Sequence, residues 1–93
     1  MELHLKIPVT ILKDGQMYVA YSPVLDLSTY GKTFTIAQKR FTEAVEIFFE
    51  ELESNGTTDE VLQNLGWLKS HKSWMPPLQV GHTVENISVP LVS

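Results

Sequence analysis

There is no cysteine among the 93 residues. Disulfides, thiolate nucleophiles and cysteine-based zinc sites are therefore excluded. Small secreted domains usually rely on such cross-links, so a reducing, cytoplasmic setting is expected. Basic residues are also scarce: 7 Lys and Arg stand against 11 Asp and Glu, a formal net charge of −4. Free-standing nucleic-acid binders carry the opposite excess, so a basic partner fits this chain better. No apolar run approaches the roughly 20 residues that span a bilayer. The opening Met1-Glu2-Leu3-His4-Leu5-Lys6 lacks the basic and then apolar regions of a signal peptide. What is present is an ordinary globular composition, 43% apolar and 19% charged. Its length suits one domain whose small core leaves a thin stability margin, which favours self-association.

The apolar pattern begins with period 2. Leu3, Leu5, Ile7, Val9 and Ile11 share one face, which predicts a half-buried strand, with Pro8 removing one ladder donor. Asp14-Gly15 predicts a hairpin turn. A second strand carries Met17, Val19 and Tyr21 and stops at Ser22-Pro23. A third, short strand covers 27–30 and closes at Gly31. The period then shifts to three and four. Phe34, Ala37, Phe41, Ala44, Val45, Phe48, Phe49 and Leu52 form the apolar stripe of one helix. Thr33 is its expected N-cap and Asn55-Gly56 its stop. Glu43, Glu46, Glu50 and Glu53 form a second stripe on the opposite face of that helix. A shorter helix fits 58–65, with a capping box from Thr57 to Glu60 and an end at Gly66. Residues 67–83, which include Trp67 and Trp74, lose periodicity and read as an irregular connector. Residues 84–92 alternate again, with Ile87, Val89 and Leu91 on one face, and predict a final edge strand. The expected class is α+β in the order β-β-β-α-α-β. It is one domain over 1–93: a sheet-and-helix core over 1–66, the connector and the last strand.

Gly31-Lys32-Thr33 resembles the end of a phosphate-binding loop, but the Gly required five positions earlier is Asp26. His4, His71 and His82 have no metal-ligand spacing. No carboxylates converge as a two-metal nuclease needs, Asp26 stands alone in its loop, and no Ser occupies a nucleophile elbow. Lys69 and Lys72 are too few for a nucleic-acid patch. No catalytic, cofactor-binding or metal-binding residue is therefore expected. The remaining candidates are a partner-binding set: the acidic stripe Glu43, Glu46, Glu50 and Glu53, which would steer a basic protein, and Trp67 and Trp74, of a residue type enriched at binding hot spots.

The run Tyr18-Val19-Ala20-Tyr21-Ser22-Pro23, then Gly31-Lys32-Thr33, then a helix with Ala37 and Glu43-Ala44, resembles the HicB-like antitoxin family. The resemblance covers about residues 5 to 55, and its motifs mark a backbone arrangement. It implies a partial ribonuclease-H-like fold with a fourth strand beside the first, in the order 3-2-1-4. It also implies a partner: a small basic mRNA-cleaving toxin of HicA type, whose active site the chain would cover. The sequence corresponds to a short form without the family's C-terminal DNA-binding domain, which argues against direct nucleic-acid binding. The expected function is thus an antitoxin-type, homo-oligomeric, cytoplasmic binding module. The alternatives are an oligomeric transcriptional regulator of its own operon and a degenerate ribonuclease-H-like nuclease.

Overall fold

The computed structural model describes residues 5–71 and 73–92. Three strands form an antiparallel sheet in the order β1-β2-β3: β1 Thr10–Asp14, β2 Met17–Ser22 and β3 Leu27–Gly31. A long helix, α1 (Phe34–Asn55), crosses one face of the sheet and leads to a short helix, α2 (Thr58–Asn64). A hairpin of two three-residue strands follows, β4 (Leu68–Ser70) and β5 (Ser73–Met75). The α+β class and the order of three strands, two helices and then strand structure are as the sequence predicts.

Local chemistry explains most boundaries. Asp14 pairs with Met17, so the turn residues are Gly15 and Gln16, one position later than expected. Gly15 takes φ 61, the positive value a tight hairpin needs at its first central residue. Thr33 is extended and its hydroxyl accepts the Ile36 amide at 3.1 Å, capping α1. At the other end Gly56 adopts φ 68. Its amide donates to the Glu53 carbonyl and the Thr57 amide to the Leu52 carbonyl, the two bonds of a Schellman motif. Gly66 ends α2 the same way, with Trp67 donating to Leu62.

The structure departs from the sequence pattern at four places. The first strand was expected from Leu3, but β1 begins only at Thr10. Residues 1–4 lie outside the described residues, and residues 5–9 are not in the ladder, although Leu5 and Ile7 still pack on the core. Pro8 offers no ladder donor there. The capping box from Thr57 is not formed: its side chain makes no cap bond. Thr57 is held at φ −112, ψ 12 as the closing residue of the α1 Schellman motif, and that backbone is not the extended one a capping residue adopts. The connector predicted over 67–83 contains the β4–β5 hairpin, whose strands are too short for their alternation to register in the sequence. Residues 84–92 form no strand, and no fourth strand pairs with β1 among the described residues.

The interior has two joined parts. Ala20, Ala37 and Phe41 are buried where the sheet meets α1. Val24, Leu25, Leu52, Leu62, Trp67 and Trp74 are buried where α1, α2 and the hairpin meet the β2–β3 connection. Ile7, Leu27 and Val45 pack against both. The sheet and helix approach very closely at Gly31. A Cβ there would lie 2.9 Å from both Ala37 Cα and the Ile36 carbonyl carbon, and closer still to the Ala37 nitrogen. Thr29 and Tyr30 secure the same contact. The Thr29 hydroxyl donates to the Ala37 carbonyl at 3.1 Å, and Arg40 donates to the Tyr30 carbonyl at 2.9 Å.

Gly31→Ala should therefore cost about 2 kcal/mol or more, because backbone atoms must move to admit the methyl group. Gly56→Ala meets no neighbouring atom and should cost only the backbone penalty of positive φ, about 1 kcal/mol. Chemical denaturation of both variants checks the ranking; equal costs would contradict the close approach.

Candidate acidic groove

Three features meet along one flank of α1. The helix turns Val45 and Phe49 inward and Glu46, Glu50 and Glu53 outward beside them, one residue type on each side of an edge. Helix α2 supplies Leu62 and Asp59, and the hairpin supplies Trp74, Lys69 and His71. The segment carrying Leu5 and Ile7 closes the remaining side. Together they line an open groove of about 1260 Å³ with an apolar floor and a rim of four carboxylates, Glu46, Glu50, Glu53 and Asp59.

Lys69 ties two walls together. Its Nζ reaches both carboxylate oxygens of Asp59 at 3.3 Å and lies 5.5 Å from the centre of the Trp74 ring. The ion pair is exposed, so it contributes at most about 1 kcal/mol, but it orients the hairpin against α2. The rim keeps an acidic surplus after this pairing. Such a surface attracts a cationic protein over a range set by ionic strength, while the floor offers apolar area for affinity.

The candidate residues separate by location. Glu46, Glu50 and Glu53 all line the groove. Glu43 is exposed on α1 outside it. The spacing predicts the glutamates opposite the apolar stripe, but Glu46, Glu50 and Glu53 border it on the side where Val45 and Phe49 lie. Trp74 is mostly buried but contributes to the groove wall. Trp67 is only 2% exposed, and its Nε1 donates to the Val24 carbonyl at 2.7 Å. Its ring meets Phe49 edge-on, with centroids 6.1 Å apart. Trp67 thus acts as a core anchor under the groove and has almost no surface to offer a partner.

Other residues with chemical potential have structural employment. Asp26 takes φ 49 in the β2–β3 connection and accepts a hydrogen bond from the Tyr21 hydroxyl at 3.3 Å. Desolvation, and then the Asp26 carboxylate, raise the Tyr21 pKa above its ordinary value, so the phenol stays protonated and keeps donating. Gly31-Lys32-Thr33 is a close-packing and capping device. Among the described residues, no three His, Asp or Glu side chains converge as a metal-binding set. Among the described residues, too, no helix is long and apolar enough to cross a membrane.

No spacing in the sequence points to Asp59, Lys69 or Phe49 as part of this site. Asp59 and Lys69 are ten residues apart and meet only because α2 and the hairpin fold back on one another.

Trp67→Phe should lower stability by about 1–3 kcal/mol, since the Val24 carbonyl loses its buried donor. Thermal or denaturant unfolding reads the loss, and an unchanged midpoint would contradict the anchoring role. Comparisons with protein-family models, curated proteins and solved structures return no match to this chain.

Proposed function

We propose that this chain is an antitoxin-type binding module that sequesters a small basic mRNA-cleaving protein through the acidic groove. One observation carries the proposal: three carboxylates of α1 and Asp59 of α2 rim an apolar floor. Binding of this kind needs no chemistry from the chain itself. The carboxylates steer a cationic partner and occupy the positions that RNA phosphates would take on it, and the floor desolvates its apolar residues. The net charge of −4 and the resemblance to the HicB-like family support the same reading. In this reading the module works in the cytoplasm as a homo-oligomer, and its partner is of HicA type.

The direct test is co-expression with each small basic protein encoded beside this chain. One of them should arrest growth alone, be neutralised by this chain and co-purify with it. If no such neighbour is toxic and none co-purifies, the proposal fails. Given a complex, Glu46→Lys with Glu50→Lys should weaken binding by about tenfold or more, chiefly through slower and less salt-sensitive association. The circular dichroism spectrum should not change. Phe41→Asp should instead abolish folding, because it places a charge at a position only 3% exposed. Loss of folding in both variants would undo the assignment of the two helix faces.

A further inference from the structure

A second, smaller groove lies farther along the same flank, beside the N-terminal half of α1. Val9, just before β1, Ile11 of β1 and Phe34 and Phe41 of α1 line it, with Gln38 and Thr42 at its border, over about 420 Å³. Val9 and Phe34 remain 38% and 52% exposed there. Beside it, β1 pairs only with β2, so its outer edge presents unpaired backbone donors and acceptors among the described residues. An apolar groove running along an open strand edge suits one more strand, whose side chains fill the groove as its backbone extends the ladder.

The chain itself carries a segment of that description. Residues 77–92 are all exposed. Leu78, Val80, Val84, Ile87, Val89 and Leu91 are each at least two-thirds exposed. Water is a poor environment for so much apolar surface. Ile87, Val89 and Leu91 alternate, so in a strand they share both a face and a lateral direction for their backbone N–H groups. Pro90 falls on the other parity. Its missing N–H would therefore lie on the outer edge, where it blocks addition of yet another strand.

The segment does not fold back on its own body. The chain has a radius of gyration of 16.3 Å and extents of 53 × 28 × 24 Å, against about 12 Å expected for a compact domain of this length. We infer that residues 84–92 form a strand on the β1 edge of a second copy of this chain, with Ile87, Val89 and Leu91 in the groove at Val9, Ile11 and Phe34. By two-fold symmetry each copy gives and receives one strand, and both sheets become four-stranded. The added strand would lie against the N-terminal half of α1, whereas the glutamates of the acidic groove lie on its C-terminal half, and a mass measurement on the chain alone tests it apart from the proposed toxin partner.

Light scattering on the full chain at tens of micromolar tests this. The wild-type chain should have twice its monomer mass of 10.5 kDa. Ile87→Asp with Val89→Asp should give a monomer, and so should Val9→Asp, both with the wild-type circular dichroism of α1. Val9→Asp is at the rim, so folding does not depend on it. A monomeric wild-type chain would overturn the exchange, because the tail would then lie free or on its own sheet. A dimer that survives either variant would overturn it as well. Survival of Val9→Asp alone would mean that the tails pair with one another and not with β1.

Discussion

The structure depends on how closely β3 can approach α1. Gly31 has no side chain, Ala37 has a single methyl group and Ala20 completes the contact from β2, so backbone lies almost on backbone. Around this seat, Thr29 and Arg40 bond strand to helix, and Thr33 caps the helix as it leaves the strand. Any larger residue at Gly31 lifts the start of α1 off the sheet. Because α1 is a rigid rod of 22 residues, a small displacement at its N-terminus moves its far half by more. That far half carries Phe49, Glu50 and Glu53, so the seat at Gly31 also sets the position of the acidic groove.

Trp67 does the equivalent work at the other end. It fills the angle between the two helices and the β2–β3 connection, and its indole N–H satisfies a buried carbonyl at Val24. The groove floor rests on this ring through Phe49. Acidic groups are thereby presented on elements held by packing, while the ion pair between Lys69 and Asp59 adds only orientation. The groove therefore keeps its shape when salt screens its charges, which would separate the steering contribution to the proposed binding from the apolar one.

Much of this was legible in the sequence because local rules governed it. The change from period 2 to a three-and-four spacing at Phe34, the Thr33 cap and the glycines at 56 and 66 are local signals, and the structure uses them. The Gly31-Lys32-Thr33 run was legible as a turn and a cap, but its close-packing role needs Ala37 beside it in space. What failed was tertiary. Thr57 has the pattern of a capping box, yet the end of α1 had already fixed its backbone. Residues 84–92 have the alternation of a strand, but alternation specifies a face and cannot supply a neighbour. The β4–β5 hairpin is the reverse case: pairing exists where three-residue strands are too short to show a period. The division between Trp67 in the core and Trp74 at the groove wall was invisible for the same reason.

The central claim is that α1, seated at Gly31, presents its acidic flank as a partner surface. Amide and indole NMR shifts of the labelled chain, titrated with the basic partner proposed for it, test this most directly. Shifts are expected at Glu46, Phe49, Glu50, Asp59 and the Trp74 indole, with Ala20 and Gly31 unchanged. Shifts centred on Leu12, Tyr21 and Tyr30, on the sheet face away from α1, would contradict it.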